Sequence, residues 1–286
     1  MNKLERAVDE LDPRLSVVLR AMKMRWRNNI AARLIHGMVN AGDVVVDVGA
    51  NRGVYTYLLS VMVGDSGRVH AVEPFPRNGD RLRAVARWRG NIVVHSVAAS
   101  DRPGTELLRV PLHEGHPIDA LATLEPNLPC PEERHAVPVC TLDDLLKDER
   151  RLAFFKCDVE GHEQRVFRGA AAILKRQRPV VLAEVEQRHR DDSIERTFEF
   201  FADYGYNGWF VAGDGLHPLE EFDLRRDQVN FATDRFVPYA MPAGYISDFM
   251  FCPPGTGPPL SALGAGARGS RVRGAGVRGS GRRVSG

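Results

Sequence analysis

The spacing of hydrophobic side chains changes near residue 43 of this 286-residue chain. Before that point, apolar residues recur at steps of three and four, which predicts an N-terminal helical segment over residues 1–40. The apolar stripe of this segment includes Leu15, Leu19, Met22, Leu34 and Ile35. We expect the stripe to pack on the domain that follows; a lid over the substrate and a dimerisation helix are the alternatives.

From residue 43 onward, short continuous apolar runs alternate with helical patterns. The runs that predict buried strands lie at residues 44–48, 68–72, 91–96, 153–157, 179–183, 206–211 and 245–251, with weaker strand patterns at 106–110 and 137–140. Helices are predicted at residues 54–62, 78–88, 162–176 and 193–204. Residues 113–135 and 212–244 are predicted mostly as loops. Strands that alternate with helices indicate an α/β protein with a mostly parallel, doubly wound sheet.

Charge is unevenly distributed along the chain. The net charge is +2, but six arginines and no acidic residue follow residue 254, so the preceding part carries −4. This mildly acidic body gives no electrostatic reason to expect nucleic acid as a partner. The arginine- and glycine-rich tail has too few apolar groups to fold, and we expect disorder there. The predicted organisation is a helical segment (1–40), one α/β domain (41–254) and this tail (255–286).

Cysteine usage and the lack of long apolar runs indicate a reducing, aqueous compartment. The four cysteines lie at positions 130, 140, 157 and 252, which matches neither a zinc-ligand spacing nor a disulfide framework. The first residues lack the apolar stretch of a secretory signal, and no apolar run approaches the length of a membrane span. We expect a cytoplasmic protein with no membrane partner; a homo-oligomer is compatible with the sequence.

The first predicted strand ends in a loop with one acid and two glycines, which runs from Asp47 to Gly53 as D-V-G-A-N-R-G. Gly49 and Gly53 allow the backbone to approach a ligand closely and to turn into a helix, and Asn51 lies between them. The next predicted strand ends in Glu73, where an acid can accept hydrogen bonds from both hydroxyls of a ribose. This combination predicts a site for a cofactor that contains a nucleoside.

Two classes of cofactor fit a glycine turn that is followed by an acid. A dinucleotide site has the pattern G-x-G-x-x-G and places a pyrophosphate at the helix N-terminus. Here the pattern is D-x-G-x-N-x-G, and Asp47 would repel a pyrophosphate but can hold an ammonium group directly or through water. S-adenosylmethionine carries that ammonium group and no phosphate, so we favour it over a dinucleotide. We expect Ala98 and Ser100, which follow the third strand, beside the adenine.

Seven segments of the sequence together resemble the FkbM family of methyltransferases. They are VVDVGANRG (45–53), AVEPFP (71–76), TLDDL (141–145), FKCDVEGHE (155–163), VFRGA (166–170), RPVVLAE (178–184) and EQRH (186–189). The resemblance extends over roughly residues 30–252. It implies a Rossmann-like class I methyltransferase fold, with a seven-stranded sheet whose last strand is antiparallel. It also implies S-adenosylmethionine as the cofactor and methylation of a hydroxyl on a sugar, polyketide or similar small molecule.

Methyl transfer to an alcohol needs a base or a metal, because an alkyl hydroxyl does not ionise alone near neutral pH. Asp158 and Glu160 follow the predicted strand at 153–157, Glu184 ends the next strand, and His189 comes soon after. In a doubly wound sheet these strand ends face the ligand. We predict that the four residues are catalytic and that Asp158 also contacts the cofactor. One of them acts as the general base, or Asp158, Glu160 and Glu184 bind a divalent cation.

Three neighbours of this set are expected to have no catalytic role. Lys156 should extend its charge to the edge of the sheet, and Glu163 should cap the following helix. His162 stands where the FkbM pattern often has a small or apolar residue, which should matter little to the cofactor site.

Two other functions are alternatives to a small-molecule O-methyltransferase. The basic tail could recruit the enzyme to nucleic acid, or the chain could bind the cofactor without activity as the partner subunit of another protein. Methyltransferases that act on base nitrogen commonly have an Asn/Asp-Pro-Pro-aromatic segment after the fourth core strand. This chain has Asp158-Val-Glu-Gly there, which argues against a base methylase. The presence of Asp158, Glu160 and Glu184 together argues against an inactive subunit.

Overall fold

The computed structural model describes residues 8, 11–26, 30–126, 130–213, 215–231 and 242–258. Residues 259–286 lie outside the described part of the chain, so the expected disorder of the tail stays a prediction. The strands of the described residues are β1 (Val44–Val48), β2 (Arg68–Val72), β3 (Ile92–His95), β4 (Ala98–Ala99), β5 (Gly104–His113), β6 (His116–Pro117), β7 (Glu132–Cys140), β8 (Phe154–Cys157), β9 (Val180–Glu184), β10 (Asn207–Ala212), β11 (Gly215–Pro218) and β12 (Asp248–Cys252).

Nine α-helices accompany these strands within the described residues. They are α1 (Pro13–Trp26), α2 (Ile30–Met38), α3 (Val54–Val63), α4 (Pro76–Arg89), α5 (Leu142–Leu145), α6 (Glu163–Arg168), α7 (Ala171–Arg176), α8 (Glu195–Asp203) and α9 (Leu224–Asp227). No helix of this part of the chain is long and apolar enough to cross a membrane.

The main sheet has the strand order β11-β10-β12-β9-β8-β1-β2-β3. β1 pairs in parallel with β2 and β8, β2 with β3, and β8 with β9. β12 runs antiparallel between β9 and β10, which confirms the expected antiparallel last strand. The sheet has one strand more than expected, because β11 forms a hairpin with β10 inside a segment predicted as loop. The doubly wound α/β architecture is confirmed.

The core covers both faces of the main sheet because successive side chains of a strand point to opposite faces. Phe154 and Phe155 of β8 are both fully buried, and they belong to two different apolar clusters. Leu34 of α2 packs in the cluster of Phe154, and Leu174 of α7 packs in that of Phe155. A strand buried in this way has to be apolar at every position, which is why the sequence shows these strands as continuous apolar runs.

A second, four-stranded sheet with the order β4-β7-β5-β6 lies between β3 and β8 in the chain. The sequence predicted only short pieces of it, since β5 and β7 are each about twice as long as the expected strands. A 3₁₀ turn at Asp119–Leu121 follows β6 and belongs to the region expected to be loop. Arg52 forms a salt bridge with Asp119, with its Nε 2.7 Å from Oδ2 of the carboxylate. This contact fixes the turn against the glycine loop after β1.

The helix expected over 162–176 is two helices, α6 and α7, separated at Gly169. A Cβ atom added to Gly169 would lie 1.9 Å from the carbonyl oxygen of Ser100. The backbone of another segment therefore occupies the space that a side chain would need, and the helix is interrupted there. The helical periodicity of residues 162–176 did not reveal this contact between Gly169 and Ser100, because Ser100 belongs to a distant part of the sequence.

The N-terminal apolar stripe is only partly covered. Leu34 and Ile35 of α2 are fully buried, as expected. Leu15, Leu19 and Met22 of α1 are exposed, which corrects the expectation that the whole stripe packs on the domain. The periodicity identified the helices, but the tertiary structure decided which part of the stripe meets the core.

Candidate active site

A cavity opens where the carboxyl ends of β1, β2 and β8 meet. Gly49 lies at the end of β1, Glu73 follows β2, and Asp158 follows β8, and all three line this cavity. Residues of the second sheet and of the 119–124 segment close it from the other side. The carboxyl edge of a doubly wound sheet is the usual place for a ligand.

The glycine loop has the conformation that the sequence predicted. Gly49 and Gly53 have φ values of 76° and 86°, in the left-handed region that favours glycine. A Cβ atom on Gly49 would lie 1.7 Å from the carbonyl oxygen of Asp158. Asn51, which lines the cavity, has a φ of 49°, and its side-chain amide donates to the carbonyl of Asp119. The loop is thus held against both the end of β8 and the 3₁₀ turn.

Glu73 is buried at the wall of the cavity with its carboxylate held by the backbone. The N–H of Asn51 donates to Oε2 at 2.7 Å, and the N–H of Phe75 donates to Oε1 at 2.8 Å. Burial raises the pKa of Glu73 to about 7 against the effect of these two hydrogen bonds. Each carboxylate oxygen has a second lone pair, so Glu73 can accept two more hydrogen bonds from a ligand.

Asp47 is fully buried in β1 and does not line the cavity. The Thr56 hydroxyl donates to Oδ2 at 2.6 Å, while Oδ1 has no hydrogen-bond partner within the described residues. Burial raises the pKa of Asp47, and the nearby Lys156 opposes that shift. A buried carboxylate oxygen without a partner is rare in proteins and is consistent with a missing ligand or water.

The two residues expected beside the adenine are placed differently. Ala98 lines the cavity, whereas Ser100 does not. The Ser100 hydroxyl is fully buried, 2.9 Å from Nε2 of His162, and Nδ1 of that ring lies 2.8 Å from Oε1 of Glu125. His162 itself lines the cavity, so it matters more to this wall than the sequence indicated. Its polar neighbours are 37 and 62 residues away in sequence, which is why no local pattern pointed to it.

One group of charged residues surrounds Lys156 at the end of β8. Its Nζ donates to Oδ2 of Asp158 at 3.0 Å and lies 4.4 Å from the ring centroid of Tyr55. Burial alone would lower the pKa of Lys156, but the carboxylates of Asp158 and Asp47 outweigh it and raise that pKa. Lys156 is therefore not at the sheet edge, as expected from the sequence, but is a buried cation among acids.

Glu184 and Asp248 belong to the same charged group. They are direct partners in the pairing of β9 with β12, which brings their side chains together. The neighbouring Asp158, together with burial, raises the pKa of Glu184 well above its ordinary value. Burial raises the pKa of Asp248 to about 6. The sequence did not single out Asp248, because it lies 64 residues after Glu184. The two residues meet only through the register in which β12 pairs with β9.

Glu160 and His189 form a second group, together with Glu186. Nε2 of His189 lies 2.9 Å from Oε2 of Glu160 and 3.5 Å from Oε1 of Glu186. Burial would lower the pKa of His189, but the two carboxylates raise it to about 9. These two carboxylates favour the protonated ring, which does not suit the expected role as a general base. Asp158 and Glu160 of the predicted catalytic set therefore contact different cations: Asp158 binds Lys156, and Glu160 lies beside His189.

Glu163, expected to cap a helix, is the first residue of α6, but its side chain bonds to the backbone that precedes the helix. Its Oε1 accepts a hydrogen bond from the N–H of Gly161 at 2.8 Å, at the start of α6. The side chain is nevertheless buried, and burial raises its pKa to about 7.

The order of the main sheet, the antiparallel β12 and the cavity at the carboxyl ends of β1 and β2 define a Rossmann-like class I methyltransferase fold. A family model described as the methyltransferase FkbM domain matches residues 47–207, which is more than half of the chain. The chain belongs to the FkbM methyltransferase domain family. No curated protein sequence matches it.

Solved structures of low sequence identity also align with the chain. A methyltransferase FkbM from Methylobacillus flagellatus KT is 19% identical with a TM-score of 0.46, and the alignment covers 74% of this chain but 43% of that one. Aeropyrum pernix fibrillarin is 18% identical with a TM-score of 0.39, covering 78% of this chain and 73% of the other. A SAM-dependent O-methyltransferase from Thermotoga maritima is 11% identical with a TM-score of 0.40, covering 79% and 65%. This chain thus spans less than half of the length of the Methylobacillus protein.

Proposed function

We propose that this protein transfers the methyl group of S-adenosylmethionine to a hydroxyl group of a sugar, polyketide or other small molecule or glycan. One observation carries the proposal: a single cavity joins the Gly49 loop and Glu73 to Asp158 and Glu160. The Gly49 loop and Glu73 suit a nucleoside. Asp158 and Glu160 supply carboxylates of the kind that deprotonate an alcohol. Membership of the FkbM methyltransferase domain family supports the same reaction.

The residues around the cavity fit S-adenosylmethionine. The free lone pairs of Glu73 suit the two ribose hydroxyls, and the left-handed Gly49, Asn51 and Gly53 let the backbone approach the ligand. Ala98 contributes an apolar wall for the adenine. Asp47 does not line the cavity, so we expect its unpartnered Oδ1 to reach the ammonium group through a water molecule.

When bound, S-adenosylmethionine supplies a methyl group on a good leaving group, a sulfonium. The protein has to align the acceptor oxygen with that methyl carbon and to remove the hydroxyl proton. We assign both tasks to Asp158, whose carboxylate lines the cavity and accepts a hydrogen bond from Lys156. The new C–O bond forms as the S–C bond breaks, the sulfonium becomes a neutral thioether, and the proton leaves with the carboxylate.

Cofactor binding should depend on pH through Glu73. The ribose hydroxyls need the ionised carboxylate of Glu73. Because its pKa is about 7, the carboxyl must lose its proton before the ribose can bind in acid. We therefore expect the affinity for S-adenosylhomocysteine to fall about tenfold between pH 8 and pH 6. Isothermal titration calorimetry at pH 6, 7 and 8 measures this. The Glu73→Gln variant should lack this dependence, and an equal slope in both proteins would contradict the assignment.

A turnover assay tests the proposed reaction. The full chain is incubated with S-adenosylmethionine and a panel of methyl glycosides, with RNA and with primary amines in parallel, and release of S-adenosylhomocysteine is measured. We expect release with at least one glycoside, together with a new methyl ether in its NMR spectrum. Transfer to RNA or to amines alone, or no binding of S-adenosylhomocysteine at all, would overturn the proposal.

A further inference from the structure

Glu160, Glu186 and His189 bring together one potential metal-ligand atom each, and these atoms lie within 4.8 Å of one another. Among the described residues they are the group that meets this criterion. Asp158 and Glu184, which the sequence placed with Glu160 in a cation site, do not belong to it. The three side chains are 13%, 2% and 9% exposed, so this is not a solvated patch of surface acids.

The buried Nε2 of His189 lies between two carboxylates, and a cation bound there would take the place of its proton. Nε2 of His189 is an ion-pair distance from Glu160, yet it makes no hydrogen bond of acceptable geometry within the described part of the chain. This ring nitrogen is nine-tenths buried and faces two carboxylates without a well-directed hydrogen bond. That is the arrangement expected of a metal ligand. A cation between the three atoms would satisfy all of them.

The surrounding backbone fixes the position of each ligand. Glu160 has a φ of 53°, which is unusual for a residue other than glycine, and Gly161 follows with a φ of 101°. A Cβ atom on Gly161 would lie 2.7 Å from the carbonyl oxygen of His189, so the two segments are in direct contact. Arg188 orients Glu186 through two hydrogen bonds of 2.8 Å. Each carboxylate oxygen keeps a second lone pair for a cation.

We propose that Glu160, Glu186 and His189 bind a divalent first-row cation of the Mn²⁺ type. An imidazole nitrogen with two carboxylate oxygens is a mixed donor set that suits such ions, and three protein ligands leave positions open for a further oxygen. Glu160 also lines the cavity, so this site adjoins the space that we propose for the cofactor and acceptor. The use of this site in catalysis rests on the proposed function, since a bound hydroxyl loses its proton more readily on a cation.

Titration with Mn²⁺ alone tests the site without any acceptor. Mn²⁺ is preferred to Zn²⁺ as the probe because Cys130 and Cys140 are partly exposed free thiols that would compete for zinc. The chain is treated with a chelator, dialysed and titrated while the signal of free Mn²⁺ is followed by electron paramagnetic resonance. We expect one ion per chain, with a nitrogen coupling in its spin-echo spectrum that reports an imidazole ligand. No stoichiometric binding, or an ion without nitrogen coupling, would overturn the proposal.

Variants then locate the ion. Glu186→Gln and His189→Gln should each weaken Mn²⁺ binding at least about tenfold, and His189→Gln should remove the nitrogen coupling. His70→Gln is the matched control, because His70 also lies beside a glutamate and a second histidine but its two nitrogens face different partners. Unchanged binding in the first two variants, or an equal loss in the control, would refute the assignment. Calorimetry with S-adenosylhomocysteine on the same samples keeps a failure of this site distinct from a failure of the proposed reaction.

Discussion

Glu73→Ala is expected to weaken the binding of S-adenosylhomocysteine about 10- to 150-fold, which corresponds to ~1.5–3 kcal/mol. The variant removes the acceptors proposed for the ribose hydroxyls and leaves the N–H groups of Asn51 and Phe75 without their present partner. Isothermal titration calorimetry at pH 8 gives the dissociation constant directly, and at that pH most of the wild-type carboxylate is ionised.

Asp80→Ala is the matched control for this variant. Asp80 is an exposed acid on α4, the helix that follows Glu73, and it pairs only at the surface with Arg83. Its removal should change the dissociation constant less than twofold. If Glu73→Ala bound S-adenosylhomocysteine as tightly as the wild type, the ribose role of Glu73 would have to be abandoned.

Asp158→Asn is expected to lower the rate of methyl transfer about 10²- to 10⁴-fold, the range typical of a lost acid–base partner. The change preserves the size of the side chain but removes the charge that Lys156 binds and that we assign to the alignment and deprotonation of the acceptor. Affinity for S-adenosylhomocysteine should change much less than the rate. Initial rates are measured with the methyl glycoside that the wild type accepts.

Asp203→Asn removes the same charge from the exposed end of α8 and should leave the rate unchanged. Full activity of Asp158→Asn would remove Asp158 from the catalytic set. A loss of cofactor affinity as large as the loss of rate would instead limit Asp158 to cofactor binding.

The sequence located the central strands accurately because each is buried on both faces and is therefore apolar without interruption. It did less well where burial is one-sided. β5 and β7 mix buried positions with exposed and partly exposed ones, and β7 was expected to begin several residues later. The 3₁₀ turn at Asp119–Leu121 carries no pattern of its own, since its place depends on the ion pair between Arg52 and Asp119.

In the candidate site, too, the sequence predicted the residues that belong to local patterns and missed those that depend on tertiary contacts. Gly49, Gly53 and Glu73 could be recognised because a turn after a buried strand and an acid at the end of the next one are local features. Glu186 and Asp248 were missed as members of the site. Glu186 lies in a short turn after β9, and Asp248 meets Glu184 only through the pairing of β9 with β12.

By itself, the sequence determined the α/β sheet, the glycine turn with its ribose acid, and the carboxylates that follow β8 and β9. Each of these depends on the spacing of residues within a short stretch of chain. Only the tertiary structure decided which charges meet: Lys156 with Asp158 and Asp47, and Glu160 with His189. Side chains from different strands and turns make these contacts, and the register between those elements is set by packing of the whole core.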